Sequence, residues 1–514
     1  MTDEETPPPK QDDEQQESGS DEHNACDGLL DDETFHGLVQ MEDLTSLLKQ
    51  NGSYLIRNTD ENAEARRIVL SVFWNGSVKD VEVRSTENRG VTFDQNVYKN
   101  TILELVNFHR QQKIPVTKEG ILLGKPVKRQ SWELRRENIT QEEKIGEGAF
   151  GEVYKGKLKQ PNGQFVAVAI KIPKSALGSK AIGEAMKEAR IQKDYVHPNV
   201  LRLFGVSAEI EPLMIVLEYV SGGSLDKYLK AHSDTMSNSQ KATFCFDVTC
   251  GLDYLHSTPC LHNDLASRNC LVCVKYGIVK ISDFGLSSVG NVQIMDRTKP
   301  APIRWLAPEV LGTAKYGKAA DVWSLAIVWW EIFTNAQEVP FKNYTLAEVQ
   351  TKLLQDAEFH PTMPSNCPVE IQNLALKCWS KNPENRPTAM ICTSKLSKFA
   401  DHQRYMKIPG LGISLNGMKR KKKRKNKPTV QSKELSKEQA GTKEQNAASP
   451  QNKEPSKPST KSSKKRASTK DNTFRRSSAS RKAKKTSTSV DSKDKTASSK
   501  KEENVEKHEK VIRK

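Results

Sequence analysis

The sequence predicts an α+β protein in which two folded units of mixed strand and helix lie between unfolded ends of opposite charge. Three observations carry this reading. Charge is unevenly placed: of a formal +16 over 514 residues, residues 1–33 hold 13 acidic side chains against one lysine, whereas 416–514 hold 32 Lys/Arg against 11 Asp/Glu. Nearly all the aromatic and branched apolar residues lie within 34–415, so only the middle can offset the entropy of ordering a chain. Within it, strand alternation and helical apolar spacing recur in two stretches, 34–127 and 139–403, joined by a charged linker, 128–138, that contains Trp132.

In the first unit, MEDLTSLLKQ has helical spacing (Leu44, Leu47, Leu48), and GSYLIRN, RRIVLSVFW and VKDVEV read as strands. NTILELVNFHRQQ supplies a second helix, so one sheet flanked by two helices is expected. The second unit begins strand-rich and becomes helix-rich, as in LAEVQTKLLQ and IQNLALKCW. The tail after Asn416 is rich in Lys, Ser, Thr and Pro with one aromatic, Phe474, and is expected to be disordered, like the acidic segment 1–33. Nine scattered cysteines and an N-terminus without a basic-then-apolar pattern predict reduced thiols in an intracellular compartment. No apolar run approaches the roughly 18–20 residues of a membrane span, so any membrane contact is expected to be peripheral.

IGEGAFGEVYKG places Gly146, Gly148 and Gly151 in G-x-G-x-x-G spacing within a strand–turn–strand pattern. In a dinucleotide-binding unit a helix would follow, with an acidic residue about 20 positions on. Here a strand follows, and twenty residues past Gly151 stands Lys171 at the end of VAVAIK, a cation suited to a triphosphate. The remaining parts of a phosphoryl-transfer site come in order. Glu188, on the amphipathic AIGEAMKEARIQ, can pair with Lys171; Asp264 can orient and deprotonate an acceptor hydroxyl; Asn269 and Asp283 can each hold magnesium. APE (307–309), DVWS with Asp321, and NRP with Arg386 follow them.

On these motifs residues 139–403 resemble a protein kinase domain, which implies a bilobal fold using ATP and magnesium. DLASRN (264–269) resembles the DLAARN of tyrosine kinases, and PIRWLAPE (302–309) their PVRWMAPE, where the Pro302 region forms a platform for a phenolic side chain. The same resemblance makes Leu217 the gatekeeper and Glu218 to Val220 the adenine-binding hinge. It lines the nucleotide site with Ile145, Gly146, Glu147, Gly148, Gly151, Val153 and Ala169.

Two departures stand out. Asn263 replaces the arginine that in this family pairs with a phosphorylated activation-segment residue, and residues 283–309 contain no tyrosine. Together they predict a kinase independent of activation-segment tyrosine phosphorylation, set instead by its partner domain or by Ser287, Ser288 or Thr298. Gln192, one turn after Glu188, stands where the family packs an apolar residue on the DFG phenylalanine, Phe284, and would weaken the active arrangement if buried without a partner.

FHGLV, YLIRN and VYKNTILELVNFH resemble a Src homology 2 (SH2) domain, a small α+β sandwich that binds phosphotyrosine, over 34–127. Its centre is Arg57, mid-strand among apolar neighbours, where an inward guanidinium demands an anion, either a phosphate or a local carboxylate. Thr59 and the loop after it are expected to add donors. Met41 stands where the family has a second phosphate-contacting arginine, and Asp80 where a histidine supports the site. An SH2 domain followed by a tyrosine kinase resembles the Fes/Fer family of cytoplasmic kinases, although the N-terminus is too short for their membrane-bending domain. The resemblance implies docking on phosphotyrosine proteins and pressure on the Glu188 helix.

MKRKKKRKNKP (418–428) is readable as a nuclear signal (419–427), an anionic-membrane or cytoskeletal contact, or a solvated tail. Without interleaved aromatics, specific nucleic-acid recognition is not expected. Ser468, Ser477 and Ser478 follow basic residues, as in substrates of basophilic kinases. Cys270 and Cys273 have C-x-x-C spacing without a second pair, and buried thiols are expected there. The leading reading is therefore a cytoplasmic, ATP-dependent protein tyrosine kinase acting on tyrosine-containing proteins. The rival is a non-catalytic scaffold, a pseudokinase joined to a phosphotyrosine adaptor.

Overall fold

Alternate residues of the first two strands face opposite layers. The computed structural model, which describes residues 25–408 apart from 60–66, 87–88, 149–150, 175–177 and 299, pairs β1 (Tyr54–Asn58), β2 (Ile68–Trp74) and β3 (Ser77–Glu82) as one antiparallel sheet. Tyr54, Ile56, Leu70 and Val72 pack on one side with Ile102, Leu105 and Val106, while Leu55 packs on the other with Leu44 and Leu48. The first group meets helix α2 (Ile102–Gln112), capped by Thr101, whose hydroxyl accepts from Glu104 N; the second meets α1 (Met41–Leu47). A small hairpin, β4 (Arg84–Thr86) and β5 (Gly90–Thr92), completes the unit.

The second unit opens with a five-stranded antiparallel sheet, β6 (Ile139–Gly148), β7 (Gly151–Lys159), β8 (Phe165–Pro173), β9 (Leu203–Ser207) and β10 (Met214–Glu218), in the order β6-β7-β8-β10-β9. Helix α3 (Gly178–Gln192) packs on it through Ala185, Met186 and Ala189. The larger, helical lobe follows with α4 (Leu225–Ala231), α5 (Asn238–Ser257), α6 (Pro308–Thr313), α7 (Lys318–Phe333), α8 (Leu346–Gln355), α9 (Val369–Cys378), α10 (Ala389–Leu396) and α11 (His402–Met406). Every residue of α7 from Ala320 to Phe333 is buried, as befits a helix apolar on all sides at the centre of a lobe. Short strand pairs, β11 (Cys260–Leu261) with β14 (Ser288–Val289), β12 (Cys270–Cys273) with β13 (Ile278–Ile281), and β15 (Val292–Ile294) with β16 (Lys315–Gly317), shape the cleft side. Cys270 and Cys273 stand buried on β12.

The folded region is wider at both ends than composition suggested. Residues 25–33, expected from composition to be unfolded, instead bury Ala25 and Leu29 in the first core, because two apolar residues suffice to seat a short turn on a finished sheet. At the other end the fold passes residue 403. Tyr405 is buried, its hydroxyl donating to Asp247 Oδ1 at 2.5 Å, and Arg404 pairs with the same carboxylate at 3.0 Å. Residues 1–24 and 409–514 lie outside the described residues, and with them the expectations on the acidic end and the basic tail.

The segment 128–138 is strapped to both units. Leu134 N donates to Val206 O (2.7 Å), Val206 N to Trp132 O (2.8 Å), and Arg129 pairs with Glu209 (2.5 Å). Leu38 of the first unit sits in one core with Ala185, Met186 and Ala189 of α3, and Asp43 of α1 pairs with Arg190 of α3 at 2.8 Å. Gly37 makes this approach feasible, since at φ +62° a Cβ would stand 2.1 Å from Ala208 O.

Candidate active site

The site is assembled where the sheet meets the helical lobe. The glycine-rich turn joins β6 to β7 with Gly146 opposite Val153 and Gly148 opposite Gly151; its tip, 149–150, lies outside the described residues. Only glycine fits at 151, where a Cβ would stand 2.2 Å from Ile172 O. Val153 pairs in turn with Lys171, and Ala169 with Leu217, so the predicted nucleotide-lining residues occupy adjoining strands. Ile145 is exposed, and Glu147 pairs with Lys144 (2.8 Å) and Lys174 (2.9 Å), tying the hairpin to the end of β8.

Lys171 Nζ lies 2.7 Å from Glu188 Oε2, and Glu188 is buried. Burial alone would pull the ammonium pKa down, but the charges of Glu188 and Asp283 and the hydrogen bond outweigh it and leave Lys171 above its usual value. The lysine is therefore a fixed cation.

Asp264 sits below. Its Oδ1 takes the Arg268 guanidinium and its Oδ2 accepts from Asn269 Nδ2 at 2.7 Å. Burial raises its pKa above the ordinary aspartate value, against the opposing pull of Arg268, His262 and Asn269. Arg268 also lies over the Trp305 ring, 4.4 Å from its centroid. Arg268 is a site residue beyond those expected from the motifs, and its i,i+4 spacing from Asp264 is the signal for it in the sequence. Arg304, next to Trp305, donates to the carbonyls of Pro340 (2.8 Å), Phe341 (2.6 Å) and Tyr344 (2.8 Å), fixing the segment after Pro302.

Asp283 is exposed at φ +64°, while Phe284 beside it is fully buried near the rings of Tyr195 and His262. Asn269 commits its amide nitrogen to Asp264, which leaves Oδ1 and the Asp283 carboxylate as hard oxygen donors of the kind magnesium prefers. The feared cost at Gln192 is absent, because it is buried but donates to Leu201 O at 2.7 Å.

Asn263 adopts φ +66° and donates through Nδ2 to Leu286 O (2.8 Å) and Ser288 Oγ (3.1 Å). Beside it, Leu261 pairs with Ser288 and Ser287 Oγ donates to His262 O (3.1 Å). The catalytic loop is thus bonded to the start of the activation segment directly. Asp321 holds the loop from beneath, accepting from the backbone of His262 and Asn263, each at 3.0 Å. Ser287 and Ser288 are buried in this brace; Thr298 is exposed.

These features have parallels. Residues 139–396 match the protein tyrosine and serine/threonine kinase family, and 35–109 match the SH2 domain. The Fer-related kinase 1 of Caenorhabditis elegans is 32% identical over 393 residues, covering 75% of this chain and 98% of that protein. The chain belongs to the Fer/Fes family of SH2-containing tyrosine kinases. Other Fer/Fes relatives include the tyrosine-protein kinase Fer of Mus musculus, 35% identical over 363 residues (70% of this chain, 43% of that protein). The tyrosine-protein kinase transforming protein Fps of avian sarcoma virus (strain PRCII) is 33% identical over 362 residues, 69% and 65% of the two chains. This chain thus spans 43% of the length of that Fer kinase.

Arg57 is buried, as an inward arginine on β1 must be, and its Nη2 pairs with Asp80 Oδ2 at 2.7 Å. Of the two anions the sequence allowed, the local carboxylate is the one in place. Thr59 Oγ1 accepts from Arg67 N (3.0 Å), closing the base of a loop whose residues 60–66 lie outside the described residues.

Proposed function

We propose that the chain is an ATP-dependent protein tyrosine kinase whose active arrangement needs no phosphate on its activation segment. The observation that carries this is the closed 2.7 Å Lys171–Glu188 pair above an activation segment already bonded to Asn263. Bound ATP and magnesium supply the γ-phosphoryl group and neutralise charge as it moves. In this reading Lys171, held by Glu188, binds the phosphates; Asn269 and Asp283 present oxygens for the metal; Glu218 and Val220 border the adenine. Asp264 orients the tyrosine hydroxyl and accepts its proton as the phenolic oxygen bonds to the γ-phosphorus and the bond to the leaving ADP oxygen breaks. Arg268 on Trp305 positions Asp264 and walls the acceptor side.

Phosphotyrosine recruitment through Arg57 belongs to the same proposal, and a ligand there must displace Asp80. For the tail, we propose an anionic-surface contact made by a cytoplasmic protein; deleting 416–514 is expected to redistribute it in cells without changing turnover.

The test is transfer from Mg-ATP to a poly-Glu-Tyr substrate by the full chain after phosphatase treatment. Activity that Asp264→Asn lowers by about 10²–10⁴-fold supports the proposal. ATP binding without transfer would replace it with the scaffold reading.

A further inference from the structure

The phosphotyrosine pocket carries its own anion. Arg57 has five N–H donors, and each has an acceptor within the chain. Nε donates to Ser71 Oγ (3.0 Å), Nη1 to the carbonyls of Val39 (3.3 Å) and Asn58 (3.1 Å), and Nη2 to Met41 Sδ (3.2 Å) and Asp80 Oδ2 (2.7 Å). Ser71 beside it gives its hydroxyl proton to Asp80 Oδ1 at 2.5 Å. The nearby Arg67 is itself held by Glu82 at 2.7 Å. A phosphate dianion entering here meets a guanidinium already paired with a carboxylate.

We infer that Asp80 is a resident competitor of phosphotyrosine, closing the Arg57 pocket so that this SH2 domain binds its ligand only when Asp80 swings out. The inference rests on the reading of this unit as a phosphotyrosine binder. The geometry supplies both states. The Arg57 side chain is 3% exposed, but that of Asp80 is 31% exposed at the pocket mouth, so Asp80 can turn to solvent without disturbing β3. Met41, 46% exposed, offers Nη2 a weak thioether acceptor. Affinity is then reduced by the fraction of molecules in which the pocket is open.

The test is a titration of the full chain with a fluorescent library of phosphotyrosyl peptides of random flanking sequence, with phenyl phosphate as competitor. Asp80→Asn keeps the shape and removes the charge. Thermal melting confirms that each variant is folded. Weak wild-type binding, tightened at least about tenfold by Asp80→Asn and abolished when Arg57→Ala is added, is the expected result. Equal, measurable affinities for wild type and Asp80→Asn overturn the competitor while leaving phosphotyrosine binding intact. Absence of binding in every folded variant overturns both.

Discussion

Asn263 braces the catalytic loop against the start of the activation segment. Its side chain holds Leu286 and Ser288, and its left-handed backbone is one that asparagine tolerates better than most residues. Asn263→Ala removes both bonds and adds backbone strain, so stability is expected to fall by roughly 1–3 kcal/mol, with lower turnover, by thermal melting and steady-state kinetics. Asp264 gives a second prediction at this scale. Burial raises its folded pKa, and the base works only when ionised, so kcat/KM must fall as pH drops through that raised value. The acid limb of the pH profile is expected above the ordinary aspartate value of about 4. Such residues differ in how far the sequence exposes them. Lys171, Glu188, Asp264, Asn269 and Asp283 were legible because phosphoryl transfer demands their types in order. The Arg57–Asp80 pair was not, because strand register decides which carboxylate an inward arginine meets: Arg57 lies opposite Val69, and Val69 opposite Glu82, yet Asp80 makes the bond.

Among elements, the helices and strands that alternate cleanly were read correctly, and α3 is the one on which function turns. It is amphipathic, with Glu188 toward Lys171 and Ala185, Met186 and Ala189 in a core completed by Leu38 from the SH2 domain. Sequence periodicity revealed that apolar face, but not that a residue nearly 150 positions earlier covers part of it. Leu38→Ala is expected to cost about 2–5 kcal/mol, as for other buried leucines. The active-site side chains stay in place chemically, so the loss should appear as a several-fold fall in kcat/KM together with lower melting temperature. Unchanged kinetics in a destabilised Leu38→Ala chain would separate the helix from the SH2 contact.

At the scale of the described residues, the strap at 128–138 bonds both domains, and the direct contact of Leu38 N with Ala208 O (2.8 Å) is one that a side chain at Gly37 would forbid. The brace at Asn263 then has a consequence for timing. A kinase that must phosphorylate its own activation segment is switched on by collisions between its own copies, which produces a lag and a rate rising faster than concentration. This chain has no tyrosine in 283–309, and its segment is already bonded. Dephosphorylated enzyme should start without a lag, at a rate proportional to its concentration. In a cell such an enzyme grades its output like a dimmer, in place of the all-or-none response that self-amplification creates.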